Sequence, residues 1–322
     1  MSSYIVMSSD ALGVAVAAQR RRVPKMDRPA FERAVLVLHG LIEALGLAGF
    51  AGSVVQDGKP RLLLRFAAAP GFAHGAVLKV YGDRPRGEGP LLAAWGACGV
   101  PTPLVRYGEA AGGSWLLLEY LDLTPVDLSS SGACAAMTDM LASWGDVMHA
   151  ESSEAAPFLR SLPDVMLPRW RQAIGALRRV DAPVQRHWAV LAERSYAHGP
   201  ARPLHGDLAA ANLGIAAGRL VIFDASALAG PAAFDAARWA ARLARFGVDP
   251  RAAYERWAER EGLGPAGALL GVECVLEAGA LIAAHPDVAE ALLRVAAALL
   301  DENETLAKAA SRKADQACDH GW

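Results

Sequence analysis

The stretch His205-Gly206-Asp207-Leu208-Ala209-Ala210-Ala211-Asn212, followed by Leu220-Val221-Ile222-Phe223-Asp224, places a carboxylate, an amide five residues later and a second carboxylate behind an apolar run. Residues 204–212 and 220–224 read as a loop and a short strand pair set among helical patterns at 133–150, 164–179, 184–197, 234–245, 250–261, 266–284 and 287–309. Upstream the period changes. Strand-like runs at 52–56, 61–66 and 76–81 are separated by the turn Asp57-Gly58-Lys59-Pro60 and the loop 70–75. A helical stretch at 87–97 is stopped by Gly99-Val100-Pro101-Thr102-Pro103, and two more strand runs follow at 104–108 and 115–120. A helix over 28–46, with Asp27 as cap and Pro29 in its first turn, precedes them all. The expected fold is α+β. Residues 1–26 form a flexible N-terminal segment, 27–121 a lobe with a five-stranded antiparallel sheet and one or two helices, and 122–322 a mainly helical lobe.

Composition fits this division. A chain of 322 residues can bury two cores, and 53% hydrophobic with 20% charged residues describes a globular protein, not a disordered one. With 32 Lys and Arg against 34 Asp and Glu, the net charge of −2 carries no polybasic signal, so neither nucleic acid nor an anionic membrane is an expected partner. The charge is uneven. Residues 1–120 hold 13 basic and 9 acidic side chains (+4), the remainder 19 and 25 (−6), which suits a nucleotide-binding first part and a cation-tolerant second. Cys98, Cys134, Cys274 and Cys318 form no C-x-x-C pair, so neither a disulfide framework nor a zinc site is indicated and a reducing cytoplasm is the expected location. The apolar stretch 11–18 precedes Arg20, Arg21 and Arg22, the reverse of a secretory signal, and no apolar run reaches the roughly 20 residues of a membrane span.

Phosphoryl transfer from ATP requires a base to orient the attacking hydroxyl, metal ions to bridge the phosphates and a cation on the phosphate tail. Asp207 and Asn212 have the spacing of base and metal ligand in a kinase catalytic loop, and Asp224, behind its strand-like run, is placed to act as the metal-binding carboxylate. The segment Gly52 to Lys59 is not a Walker A loop: five residues lie between Gly52 and Gly58 where four are required, and Pro60 replaces the Ser or Thr. The same turn could cover the phosphates instead.

The pattern H-G-D-L-x-x-x-N, an apolar strand and Asp resembles the aminoglycoside phosphotransferase and choline-kinase-like superfamily over roughly residues 50–240. The resemblance implies a two-lobed protein-kinase-like fold with ATP and Mg2+ as cofactors. It implies Asp207 as catalytic base, Asn212 and Asp224 as magnesium ligands, and His205 and Gly206 as residues that shape the loop. It further implies Lys79, on the strand Ala76-Val77-Leu78-Lys79-Val80-Tyr81, as phosphate-binding lysine, with Glu88 as its ion-pair partner. Leu116 to Leu121 resembles the hinge, with Glu119 C=O and Leu121 N–H as adenine partners, and Met148-His149-Ala150 resembles a helix ending in L-H-A, where His149 is structural. Residues 225–235 resemble G-x-P-x-x-D, whose last residue, Asp235, braces the catalytic loop; here Gly230 and Pro231 are adjacent, and the spacing resembles the streptomycin and hydroxyurea kinase subgroup.

Only ten residues separate Asp224 from Asp235, too few for a long activation segment, and Gly206 replaces the arginine that pairs with an activation-loop phosphate. Both features favour a small-molecule hydroxylic substrate. The resemblance makes an aminoglycoside-type antibiotic the first class to test, with resistance as the biological consequence. An amino alcohol, sugar or other metabolite would use the same parts, and a nucleotide-binding pseudokinase is the reading from a different class. Glu273 and Glu277, one helical turn apart, read as solvated charge or as contacts to a cationic substrate, and Asp122 and Asp127 as receivers of ribose hydroxyls or an amine.

Overall fold

The computed structural model describes residues 5–6, 9–57, 59–72, 74–83, 86–110, 113–265 and 267–301. Gly58 of the expected turn, Cys318 and the end of the helix predicted over 287–309 lie outside them. The chain folds into two compact units, neither continuous in sequence. Unit 1 comprises Met1–Pro125, Ser152–Leu159 and Leu213–Ala227; unit 2 comprises Val126–Glu151, Arg160–Asn212 and Leu228–Trp322.

The chain opens with strand β1 (Ile5–Val6) and helices α1 (Ser9–Arg22) and α2 (Arg28–Ala44). Strands β2 (Ala51–Val54), β3 (Arg61–Phe66) and β4 (Ala76–Tyr81), helix α3 (Glu88–Ala97) and strands β5 (Val105–Ala110) and β6 (Gly113–Glu119) follow. The five expected strands are all present. They form an antiparallel sheet in the order β2-β3-β4-β6-β5, to which β1 adds a two-residue edge. Period-two alternation buries Leu62, Leu64 and Phe66 of β3, and α2 buries Phe31, Ala34, Leu38 and Leu41 at helical spacing in the same core.

One expectation is corrected here. Residues 1–26, read as a flexible segment with no helix assigned, contain α1. Its Ala-rich sequence favours helix, Arg20, Arg21 and Arg22 complement the dipole at its C-terminal turn, and Leu12, Val16, Gln19 and, just beyond the helix end, Val23 make one buried stripe.

The chain then turns helical in unit 2: α4 (Ser131–Ser143), α5 (Gly145–Met148), strand β7 (Arg160–Ser161), α6 (Leu162–Ala176), α7 (Ala182–Ala197) and strand β8 (Arg202–Leu204). The loop 205–212 follows. Hairpin β9 (Leu213–Ala216) and β10 (Arg219–Ile222) returns to unit 1, where Thr124 bridges Ile215 and Ile222 N–H donates to Pro101 C=O (2.9 Å). Strand β11 (Leu228–Gly230) pairs with β7 and β8, and α8 (Ala233–Leu243), α9 (Pro250–Glu261), α10 (Ala268–Leu281) and a helical segment at 286–301 complete unit 2. Among the described residues no helix is long and apolar enough to cross a membrane.

Candidate functional site

In unit 1 the site is built around Lys79, in the middle of β4 and flanked in register by Leu63 and Leu116. Its ammonium, on a residue only 6% exposed, donates to Glu88 Oε1 at 2.5 Å and to Asp224 Oδ1 at 2.6 Å. Burial works against this charge, but Glu88, Tyr81 and Asp224 outweigh it and hold Lys79 above the ordinary lysine range. Glu88 lies in the first turn of α3, where a negative charge suits the helix dipole, and Tyr81 donates to its other oxygen at 3.2 Å.

Gly87 and Gly89, poor helix formers on either side of Glu88, are explained by close packing. A Cβ on Gly89 would stand 2.6 Å from Tyr107 Cβ, and one on Gly87 2.9 Å from Ala227 Cβ. Asp224 follows β10 with φ of 58°, a strained conformation for a residue with a side chain. Burial would raise its pKa, but Lys79 and Arg61 outweigh that and hold its carboxyl below the usual range. At the end of β6, Glu119 pairs in register with Ala76, and its carboxylate accepts from Leu104 N–H at 3.4 Å. Among the described residues Leu121 N–H has no backbone partner, and Asp122 is exposed.

In unit 2 the loop 205–212 is suspended from Asp235, fully buried in the first turn of α8. Asp235 accepts His205 N–H at 2.8 Å on Oδ2 and Gly206 N–H at 2.9 Å on Oδ1. His149 Nε2 lies 3.3 Å from Asp235 Oδ2, and its Nδ1 meets Glu261. Gly206 has φ of 74°, and a Cβ there would stand 2.6 Å from Leu228 Cγ, so a side chain at this position would be both strained and crowded. Asn212 Nδ2 donates to Asp207 C=O at 2.7 Å, closing the loop on itself.

Asp207 Oδ1 receives Arg242 at 2.7 Å and has Arg238 within 3.5 Å. Burial would raise its pKa, but Arg242 and Arg238 prevail and keep it ionised, below the usual carboxylate range. Arg242 also donates to Leu208 C=O at 2.8 Å, so one guanidinium grips both the side chain and the backbone of the loop.

Behind these arginines stand Glu273 and Glu277. Glu273, 1% exposed, accepts Arg238 at 2.8 Å and the Tyr196 hydroxyl at 2.7 Å. Glu277 accepts Arg245 Nε at 2.6 Å and lies 3.9 Å from Arg242 Nε. The reading of this pair as solvated charge is corrected: α10 packs against α8, and its two glutamates meet arginines one turn apart on that helix. Asp127 is an exposed turn residue that accepts Ser129 N–H at 2.9 Å ahead of α4.

The phosphotransferase enzyme family's sequence profile matches residues 53–269, more than half of the chain. The chain belongs to the phosphotransferase enzyme family. At the level of fold this phosphotransferase is similar to a candidate fructosamine-3-kinase from Thermobifida fusca YX-ER1, at 18% identity and a TM-score of 0.50, covering 83% of this chain and 98% of that one. It is also similar to a spectinomycin phosphotransferase solved with ADP and spectinomycin, at 10% identity and a TM-score of 0.52, with the same two coverages of 83% and 98%. The fold is α+β and protein-kinase-like. Comparison with curated proteins returns no match.

Several residues that contact the candidate side chains escape a reading of the motif: Arg61 and Tyr81 within unit 1, and Tyr196, Arg238, Arg242 and Glu261 within unit 2. The signal for two of them was present in α8. Asp235, Arg238 and Arg242 recur at i, i+3 and i+7 in an otherwise Ala-rich helix, so they share one face. Among the described residues no group of three or more His, Cys, Asp or Glu could hold a metal unaided. Taken singly, the Asp224 carboxylate of unit 1 and the Asn212 amide of unit 2 are oxygen donors of the kind magnesium accepts, an ion that takes few protein ligands and completes its shell with phosphates and water.

Proposed function

We propose that the enzyme transfers the γ-phosphoryl group of ATP, as its magnesium complex, to a hydroxyl of a small molecule. The observation that carries this reading is the buried Lys79 ammonium shared between Glu88 and Asp224, residues brought together across 145 positions of sequence in the Asp224 case. In this proposal residues 27–121 are the nucleotide-binding lobe and 122–322 supply the catalytic loop and acceptor site. Lys79, aligned by Glu88, binds phosphate oxygens, and Glu119 C=O with Leu121 N–H receives adenine. Asp224 and Asn212 hold magnesium, which when bound neutralises charge on the phosphates. Asp207 orients the acceptor hydroxyl and takes its proton as the acceptor oxygen–phosphorus bond forms and the bond from the γ-phosphorus to the bridging oxygen breaks, releasing ADP. His205 and Asp235 keep the loop in shape. A reducing cytoplasm is the location this reading expects.

The state of Glu273 and Glu277 bears on the acceptor. Both carboxylates are engaged with arginines, so they offer little to an ammonium group. That favours a hydroxylic metabolite with few positive charges over an aminoglycoside-type antibiotic. The pseudokinase reading is disfavoured by the presence of Lys79, Asp207, Asn212 and Asp224 together. ATP consumption by the purified protein, measured across aminoglycosides, other antibiotics, sugars and amino alcohols with Asp207→Ala as control, tests the proposal. Stimulation by one compound, lost in the variant, is expected; no stimulation above the variant by any hydroxylic compound would reject it.

A further inference from the structure

A second cation stands beside Lys79. Arg61 opens β3 directly opposite Tyr81, and its side chain is 13% exposed. Its Nη1 lies 3.4 Å from the Tyr81 hydroxyl and 3.9 Å from Asp224 Oδ1, the same oxygen that Lys79 holds at 2.6 Å. Its Nη2 reaches Asp57 Oδ2 at 3.3 Å, and its Nε is buried without a partner. A buried guanidinium with one donor unmatched and its other donors in long contacts is poorly satisfied as it stands.

The groups around Arg61 are held from outside the family's span, which begins at residue 53. Gln19, on α1 and wholly buried, donates from Nε2 to Asp57 Oδ1 at 3.0 Å and to Lys59 C=O at 3.3 Å. Lys59 N–H closes on the same Asp57 oxygen at 3.1 Å, leaving Oδ2 to face Arg61. Arg22, at the last turn of α1, donates to Gln56 C=O at 3.1 Å. Helix α1 therefore fastens the chain between β2 and β3 on both sides of Asp57.

We propose that Arg61 is a second phosphate-binding arm for the nucleotide, and that helix α1, through Gln19 and Asp57, positions it. The inference rests on the reading of unit 1 as the nucleotide-binding part. Asp224 is the anchor that Arg61 and Lys79 share, and its engagement by magnesium would release both cations toward phosphate oxygens. A guanidinium fork suits that partner better than it suits a carboxylate oxygen already taken by an ammonium. Arg61 is the binding residue; Gln19 is a positioning residue.

The test is a set of equilibrium titrations of the full-length protein with Mg-ATP, Mg-ADP and adenosine, in wild type, Arg61→Gln, Arg61→Lys, Gln19→Ala and Lys79→Met. Arg61→Gln is expected to weaken both nucleotides by about tenfold or more with adenosine unchanged, and Arg61→Lys to recover part of the loss. Gln19→Ala is expected to weaken the nucleotides by about threefold, again sparing adenosine, because a tether contributes about one ordinary hydrogen bond. Wild-type nucleotide affinity in Arg61→Gln, with affinity lost in Lys79→Met, would overturn the inference and leave the nucleotide-binding reading standing. An equal loss for adenosine would overturn it too, by showing a structural role. Wild-type protein that binds none of the three would reject the underlying reading and this inference with it.

Discussion

A histidine locked between two carboxylates gives the support of the loop 205–212 a pH dependence. His149 is 6% exposed, with Asp235 at 3.3 Å from Nε2 and Glu261 against Nδ1. Burial disfavours its charge, but the two carboxylates prevail and push its pKa from 6.5 up to about 9. The folded protein thus binds this proton more tightly than the unfolded chain does. The resulting stabilisation is complete below about pH 6.5 and disappears as pH rises through about 9. At roughly 1.4 kcal/mol per pH unit the interval is worth about 3 kcal/mol, a large share of the 5–15 kcal/mol that holds a typical domain together. Urea unfolding at intervals from about pH 6 to about pH 9.5 measures it, with tryptophan emission as signal, since Trp257 donates to Glu261 at 2.6 Å. His149→Gln is expected to lose most of the decline between these limits and, by leaving Asp235 and Glu261 buried without a cation, to be less stable at the acid end. Parallel stability profiles in the two proteins would refute the reasoning.

Three further outcomes follow from the geometry. Glu273→Gln leaves Arg238 buried with half its partner gone, and unfolding should become easier by about 3–5 kcal/mol in the absence of any acceptor; normal stability with only a raised KM would return Glu273 to the substrate. Gly206→Ala forces a side chain into Leu228 at a left-handed backbone position, and should lower the melting temperature and kcat together, whereas a variant with wild-type kcat would show the loop to be more yielding than described. Lys79→Met strands Glu88 and removes the nearer of the two cations beside Asp224, so both stability in calorimetry and Mg-ATP affinity should fall; unchanged affinity would detach Lys79 from the nucleotide.

The fold was readable where a residue's neighbours in sequence are also its neighbours in space. The alternation in β3 and the glycine and proline stops after α3 marked the elements because strand and helix periods are local properties. Asp207, Asn212 and Asp224 stood out as candidates because their spacing along one loop and strand is a local property of the sequence. Arg61, Tyr196 and Glu261 were not, since each acquires its meaning from a partner far along the chain: Asp224, Glu273 and His149. The misreading of Glu273 and Glu277 has the same origin. A pair of acids one turn apart is a common surface pattern, and only the packing of α10 on α8 brings arginines to meet it. Helix α1 was missed because its apolar stripe passes through Gln19, which interrupts the pattern that marks a buried face.

The interleaving of the two units has a consequence for biosynthesis. A ribosome releases β1 to β6 well before it releases residues 213–227, so the sheet emerges with the seat beside Pro101 and Thr124 vacant and Lys79 paired with Glu88 alone. The loop 205–212 leaves the ribosome immediately ahead of the hairpin, and Asp235, from which that loop hangs, follows Ile222 at the hairpin's end by 13 positions. Asp224 and the loop's brace are thus both delivered after it, so a nascent chain arrested before residue 213 carries a sheet without its second carboxylate and a loop 205–212 without its support.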